Sequence, residues 1–248
     1  MEVRVKEMLL CLGLAVAAAR GANETPRPPE PVLVELFTSE GCSSCPPADA
    51  LLARLDSAQP VSGARIIVLS EHVDDWNHDG WTDPYSSAAF TERQAAYARR
   101  FGLKDPYTPE MVVDGNVEFV GVDASRAEAT IRESAREPKA SVRIDAADPE
   151  GDAVNIEVAP LAHGLPRKAL VFIVHAADSG SSDVLRGENA GRKLQHVAIV
   201  KSLVKVGTVS EHSGFKTRVP VDHARVIAFV QESGNGRVLG GAMYSAKH

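Results

Sequence analysis

The spacing of apolar residues changes once along the chain, near residue 140. Before that point, short apolar runs typical of buried strands alternate with segments whose apolar residues recur at helical spacing. The predicted strands are VLVELF (32–37), ARIIVLS (64–70) and a hairpin in MVVDGNVEFVG (111–121). The predicted helices are ADALLARLDSA (48–58), SSAAFTERQAAYARRFG (86–102) and DASRAEATIRESAR (123–136). The predicted order is therefore β-α-β-α-β-β-α.

Beyond residue 138 the apolar and polar residues alternate with a period of two, which is typical of half-buried strands. Segments with this pattern are separated by Gly, Pro, Asn and Asp, and they run to the end of the chain: SVRIDA, AVNIEVA, KALVFIVHAA, HVAIVKSLVKVG, FKTRVPV, RVIAFVQES and RVLGGAMYS. Many short strands with turn residues between them are typical of an antiparallel sandwich. The sequence thus predicts an α/β domain over residues 32–138 and a mostly antiparallel, β-sandwich-like domain over residues 139–248.

The N-terminal segment has the pattern of a secretory signal peptide. Within residues 1–22, Arg4 and Lys6 precede an apolar run from Met8 to Ala19 that ends in small residues. The run is too short to cross a bilayer as a helix. Residues 23–31 follow as a proline-rich leader. We therefore expect a secreted or periplasmic protein with no stable membrane anchor after cleavage. Two alternatives are lipidation at Cys11 and a short buried N-terminal helix.

The signal peptide changes how the three cysteines are interpreted. An odd number of cysteines ordinarily suggests a free thiol or an intermolecular bridge. Cleavage of the signal removes Cys11 and leaves Cys42 and Cys45, three positions apart, in an oxidising compartment.

Composition and charge exclude several classes of protein. The chain of 248 residues has 27 basic and 33 acidic side chains, a formal net charge of -6 and no block of like charge. A nucleic-acid binder that uses a basic surface is therefore not expected. With 44% hydrophobic residues, the composition is not that of a disordered or collagen-like chain.

The Cys42-Ser43-Ser44-Cys45 segment follows a predicted strand and opens a predicted helix, a context that suits redox chemistry. The helix N-terminus favours the thiolate of Cys42, which would be the nucleophile. Cys45, one turn further, would resolve the mixed disulfide. Two alternatives stay open at this point: a disulfide that only stabilises a turn, and half of a metal site.

Two further features favour redox chemistry. Glu35 lies in an otherwise apolar strand, where burial would raise its pKa and let it carry a proton to or from Cys45. The alternative is that Glu35 points at an edge of the sheet or binds a neighbouring cation. The Thr108-Pro109 bond precedes a predicted strand, and in the cis form it would bring the backbone of Thr108 alongside the cysteines.

The order strand, C-x-x-C-P, helix, strand, helix, Thr-Pro, hairpin and helix resembles the thioredoxin fold. Three segments, LFTSEGCSSCPPADALL, residues 71–97 and TPEMVVDG, are more specifically similar to the secreted bacterial family called domain of unknown function 1223. The similarity extends to GENAGRKLQHVAIVKSL and VIAFVQESGNGRVLGGA in the second half. This resemblance implies a thioredoxin-like fold and secretion, and it implies no particular substrate.

A polar loop with two tryptophans follows the second predicted strand. Because such loops lie at the carboxyl edge of an α/β sheet, Trp76 and Trp81 could form a wall beside the cysteines for a peptide or an apolar ligand. Alternatively, they anchor the loop to the core. A further alternative is a copper site formed by Cys42, Cys45 and His72.

Together these features predict a secreted or periplasmic thiol–disulfide oxidoreductase-like protein with no cofactor. Its partners would be a protein or a small thiol or disulfide. Cys42, Cys45 and Glu35 would be catalytic, and Thr108, Pro109 and the two tryptophans would bind the substrate. The rival hypothesis is a secreted binding protein that keeps the disulfide and has no catalytic activity. Shielding of the cysteines by residues 72–84 would favour that rival.

Overall fold

One eight-stranded sheet organises the molecule, as seen in a computed structural model that describes residues 28–222 and 225–245. Its strand order is β11-β10-β7-β8-β2-β1-β3-β4, and a second sheet has the order β5-β6-β9. The strands are β1 (Glu30–Thr38), β2 (Ala64–His72), β3 (Glu110–Val113), β4 (Val117–Val120), β5 (Val142–Ala146), β6 (Ala153–Val158), β7 (Lys168–Asp183), β8 (Lys193–Ser210), β9 (Phe215–Pro220), β10 (Arg225–Gln231) and β11 (Val238–Tyr244). The helices are α1 (Pro46–Ala58), α2 (Ala88–Phe101) and α3 (Ala124–Ser134).

The helix boundaries follow local chemistry. Pro46 occupies the first turn of α1, where its missing N–H would have no helical partner. The side chain of Ser87 accepts a hydrogen bond from the Ala89 N–H at the start of α2. Helix α2 ends at Gly102, whose φ of 69° is in the left-handed region that favours glycine. No helix in residues 28–222 or 225–245 combines the length and the apolar character needed to cross a membrane.

Alternation along β1 divides the main sheet into two faces. Val34 and Leu36 pack with the leucines of α1 in one core cluster, whereas Leu33 and Phe37 pack with Phe90 of α2 in another. Because successive side chains of a strand point to opposite faces, the even-numbered residues of β1 lie on the α1 face and the odd-numbered residues on the α2 face. This division decides which polar residues lie near the cysteines.

The predicted fold class, a thioredoxin-like α/β domain followed by a separate β-sandwich, is wrong. The element order through α3 is as expected, but β7, β8, β10 and β11 join the same sheet as β1 to β4. The two parts meet where β2 pairs in parallel with β8 at Ser70 and Ile199. The described residues are mostly β, with 43% in strands and 18% in helices. The predicted boundary at 138/139 lies in the connection between α3 and β5.

The reason for this error is the length of two strands. β7 has 16 residues and β8 has 18, and they pair antiparallel along most of their length. Strands of this length are too long for a small separate sandwich. β8 instead pairs with the edge of β2 and joins the two parts in one sheet. The predicted signal peptide of residues 1–22 lies outside the described residues, as does the predicted leader up to residue 27.

Candidate functional site

Cys42 and Cys45 form a disulfide between the end of β1 and the start of α1. Their Cα atoms are 5.5 Å apart. Both cysteines are buried, with 0% exposure, while the intervening Ser43 and Ser44 are exposed. The pair therefore lies just below the surface at the N-terminus of a helix, where the local dipole favours a negative charge.

Thr108 lies beside the disulfide. The Thr108-Pro109 peptide bond is cis, and the carbonyl oxygen of Thr108 is 3.9 Å from the Cys42 sulfur. The hydroxyl of Ser44 is 3.3 Å from the same sulfur. The Cys42 sulfur therefore has two polar neighbours, the Ser44 hydroxyl and the Thr108 carbonyl, and its role as nucleophile stays a prediction.

The two tryptophans of the loop after β2 reach the cysteine motif from one side. A Cβ on Gly41 would lie 2.7 Å from the Cβ of Trp76, so only glycine allows this close approach. The Trp76 indole N–H donates to the Thr108 hydroxyl at 2.9 Å, and that of Trp81 donates to Glu40 at 2.9 Å. The structure therefore brings both tryptophans to the cysteine motif. Their indole N–H groups bond to Thr108 and Glu40, which adjoin the two cysteines.

A loop from the second half of the chain covers the motif from another side. The side-chain amide of Asn189 donates to the backbone carbonyls of Glu40 at 2.8 Å and Cys42 at 3.0 Å. The carboxylate of Glu188 accepts from the Ser43 N–H at 2.9 Å, and hydrogen bonding to the Ser43 side chain and to this N–H lowers the pKa of Glu188. We call residues 184–191 the clasp loop. Sequence reasoning assigned it no role.

Behind the motif, on the α1 face, lies a group of buried ionisable side chains that we call the buried polar cluster. Its members are Glu40, Asp49, His72, Asp83 and His196, none of them more than 6% exposed. Glu40 stands two residues before Cys42, and Asp49 one helical turn after Cys45. The cluster therefore surrounds the cysteine motif at both of its ends.

His196, on β8, connects the two carboxylates. Its Nε2 is 3.1 Å from a carboxylate oxygen of Glu40, and its Nδ1 is 3.8 Å from Asp49, too far for a hydrogen bond but close enough for attraction. Burial opposes the charged imidazolium, but the two carboxylates outweigh burial and raise the pKa of His196 to about 9. At neutral pH this buried histidine carries a positive charge.

His72 belongs to the same cluster and is not bonded to the cysteines. Its Nδ1 is 2.7 Å from Asp83, its Nε2 is buried without a partner, and its ring meets that of His196 at 4.5 Å. Burial raises the pKa of Asp83, but bonding and attraction to His72 outweigh it, so the pKa is lowered. Within the described part of the chain, no three His, Cys, Asp or Glu side chains are grouped to hold a metal ion. The copper hypothesis for Cys42, Cys45 and His72 stays a prediction.

Glu35 lies on the opposite face of the sheet, since it is an odd-numbered residue of β1. It pairs with the Arg93 guanidinium at 2.6 Å and accepts from the Tyr97 hydroxyl at 2.7 Å. Glu71 is 3.6 Å from the same guanidinium, and burial together with repulsion from Glu35 raises its pKa. The structure does not bring Glu35 to Cys45. Its carboxylate instead binds a neighbouring cation, the alternative noted above.

A cavity of about 280 Å³ is lined in part by Thr108, and we call it the Thr108 cavity. Its lining residues are Asp75, Trp76, His78, Asp79, Gln94, Pro106, Tyr107 and Thr108. Behind Gln94, the buried Glu110 accepts from the Gln94 amide at 2.8 Å and has one oxygen without a partner. Burial raises the pKa of Glu110 to about 7.

Comparison with known proteins places the chain among proteins of unassigned function. The family model described as "Protein of unknown function (DUF1223)" matches residues 33–231. No curated protein matches the chain. The crystal structure of protein AGR_C_4864 from Agrobacterium tumefaciens is 25% identical with a TM-score of 0.72, and the match covers 90% of this chain and 97% of that one. HBP35 of Porphyromonas gingivalis, at 15% identity and a TM-score of 0.58 over 89% of this chain and 76% of that one, shares the fold alone.

Proposed function

The chain belongs to the protein family of unknown function DUF1223, and we propose that it is a secreted or periplasmic thiol–disulfide oxidoreductase-like protein that exchanges disulfides through Cys42 and Cys45. The observation that carries this proposal is the placement of the Cys42 sulfur. It lies at the N-terminus of α1, disulfide-bonded to Cys45, with the Thr108 carbonyl 3.9 Å away.

This placement supports exchange because it serves both redox states. The helix N-terminus favours a Cys42 thiolate after reduction, and the Ser44 hydroxyl at 3.3 Å can donate a hydrogen bond to that sulfur. The Thr108 carbonyl can accept from the neutral thiol. A turn-stabilising disulfide would need neither neighbour.

The proposed exchange begins from the oxidised pair. A substrate thiolate attacks the Cys42 sulfur, the Cys42–Cys45 bond breaks, and Cys45 leaves as a thiolate that takes up a proton. A second substrate thiolate then attacks the substrate sulfur of the mixed disulfide, and Cys42 leaves as a thiolate. The substrate dithiol has lost two electrons and become a disulfide, and the cysteine pair has gained them. The same steps in reverse reduce a substrate disulfide.

The buried polar cluster supports this chemistry. Full reduction of the pair to two thiols takes up two protons, and neither cysteine is in contact with solvent. Glu40, Asp49 and His196 place titratable groups at both ends of the motif, inside the protein. A disulfide used only as a brace would not need buried charges, which are costly to keep in a protein interior.

The surface around the site suits a polypeptide substrate. Val120 is 51% and Val122 is 47% exposed, and Gly121 between them approaches Pro109 so closely that an added Cβ would lie 3.4 Å from its side chain. Exposed apolar side chains that cluster at a site are typical of protein contact surfaces. Leu185 of the clasp loop is also exposed, at 76%.

A specific observation favours a second candidate function, a non-catalytic binding protein. Both cysteines have 0% exposure, and Trp76 and the clasp loop cover the motif from two sides. The two functions differ in one requirement. Catalysis needs the clasp loop to open so that a substrate sulfur reaches Cys42, whereas a structural disulfide needs it to stay closed.

The experiment is a disulfide-exchange assay on the mature protein with glutathione disulfide and with insulin. We compare the wild type with Cys42→Ser, Cys45→Ser and the matched control Ser43→Ala, which keeps the motif. The proposal predicts turnover that both cysteine variants abolish, and a stable mixed disulfide trapped on Cys42 in the Cys45→Ser protein. Exchange no faster than that of a free dithiol, with no trapped adduct, would support the binding protein instead.

A further inference from the structure

The Thr108 cavity has no part in the exchange steps described above, although it shares Thr108 with the site. The Thr108 carbonyl faces the Cys42 sulfur at 3.9 Å, and its hydroxyl accepts from Trp76, whose side chain lines the cavity. Thr108 thus borders both the Cys42 sulfur and the cavity, so a polypeptide whose cysteine engages Cys42 brings the side chains of neighbouring residues close to the cavity.

The size of the cavity fits a single side chain. Cavities that hold whole cofactors or drug-sized ligands measure roughly 300–1,000 Å³. At about 280 Å³ the Thr108 cavity lies just below that range. One long side chain would fill much of it, and a complete nucleotide or haem would not enter.

The lining selects for positive charge. Asp75 and Asp79 contribute carboxylates, and Trp76 and Tyr107 contribute aromatic rings, which attract cations over their faces. The only basic group in the lining is His78, whose Nε2 is 3.4 Å from Asp79. Neither Asp75 nor Asp79 is buried, so their charges are available to a ligand.

Side chains behind the cavity lining add to this preference for a cation. Gln94 lines the cavity and uses its amide to donate to the Tyr107 carbonyl at 2.7 Å and to Glu110 at 2.8 Å. Glu110 is fully buried, and one of its carboxylate oxygens has no partner. When ionised, this carboxylate behind Gln94 favours a cation in the cavity over an anion.

From this geometry we infer that the Thr108 cavity is a subsite for a lysine or arginine side chain near the reacting cysteine of a polypeptide substrate. The inference rests on the proposed exchange function and gives it a substrate class. An exposed charge pair changes affinity by a factor of about 1.4 to 5, and a cation–π contact by a similar factor. We therefore expect a basic side chain to be preferred over a neutral one by about tenfold.

The test uses three disulfide-linked peptides that differ only two positions before and after the cysteine, where they carry Lys, Gln or Glu. Exchange rates are measured for the wild type, Asp75→Asn, Asp79→Asn and the matched control Asp105→Asn, an exposed aspartate outside the lining. The Lys peptide should react about tenfold faster than the Gln peptide. Asp75→Asn and Asp79→Asn should each reduce that preference, and added salt should weaken it, while Asp105→Asn keeps it.

Two further arms separate this inference from the proposed function. Hydroxyethyl disulfide has no side chain for the cavity, so its exchange reports on the cysteines alone. Exchange of this compound with equal rates for the three peptides would overturn the subsite and leave the function standing. Serine versions of the peptides measure binding without exchange. A Lys preference in binding, with no exchange of any disulfide, would support the subsite and overturn the proposed function, and equal binding would overturn the subsite.

Discussion

The clasp loop controls access to Cys42 if the proposed function is correct, and Asn189→Ala tests this directly. Asn189 donates two buried hydrogen bonds, to the carbonyls of Glu40 and Cys42. A typical intramolecular hydrogen bond contributes about 0.5–1.5 kcal/mol. The Asn189 side-chain oxygen is buried without a partner, which offsets part of that gain. We therefore expect the substitution to weaken loop closure by about 1–2 kcal/mol.

That free energy translates into a rate. If the disulfide is reduced only from a clasp-open state, a change of about 1–2 kcal/mol raises the open population about five- to thirtyfold. The assay follows reduction by dithiothreitol at fixed pH, with acid quenching and mass-spectrometric counting of labelled thiols. Asn155→Ala is the matched control, because Asn155 is exposed on β6, away from the motif.

Two results would refute this reasoning. One is an unchanged reduction rate in Asn189→Ala. The other is a rate that rises with urea as steeply as the global unfolding constant, because access would then come from unfolding of the whole protein. Clasp opening instead predicts a rate almost independent of urea below the unfolding transition.

Three further predictions concern the buried charges. Arg93→Leu should destabilise the fold by about 3–5 kcal/mol in urea unfolding, since it leaves Glu35 buried without its cation, and a loss below 1 kcal/mol would contradict the ion pair. The raised pKa of His196 stabilises the fold most below about pH 6.5, and this contribution, about 3 kcal/mol, should be lost as pH rises through about 9. His196→Gln should remove this pH-dependent loss of stability. A stability profile as steep as that of the wild type between about pH 6.5 and 9 would contradict the prediction. Ionisation of Glu110 should lower stability between about pH 4.5 and 7, a decrease that Glu110→Gln should abolish in the same titration.

The first half of the fold follows from local sequence, and the architecture does not. Periodicity and caps predict the elements from β1 to α3 because each depends on residues within one or two turns. The union of both halves in one sheet depends on β2 pairing with β8, between residues such as Ser70 and Ile199 that are far apart in sequence. Strand periodicity shows which face of a strand is buried and not which strand lies beside it.

The same distinction applies to the site. Cys42, Cys45 and Thr108 were found because the C-x-x-C motif and the Thr-Pro pair are local signals. Asn189 and His196 were missed because they act across long sequence separations, 147 residues from Asn189 to Cys42 and 156 from His196 to Glu40. A signal for His196 was present. His196 alternates with more exposed residues in β8, so the period of the strand places it on a buried face. An ionisable side chain on a buried face needs a charged or hydrogen-bonding partner.

The central claim, that Cys42 is a reactive cysteine, is tested most directly by the pH dependence of its alkylation in the reduced mature protein. Iodoacetamide labelling of Cys42 is followed by mass spectrometry from acid to alkaline pH, with a free-cysteine peptide as reference. The position of Cys42 at the start of α1 predicts a pKa clearly below the ordinary value of about 8.5. A pKa at or above about 8.5, with alkylation no faster than that of the peptide, would contradict the account.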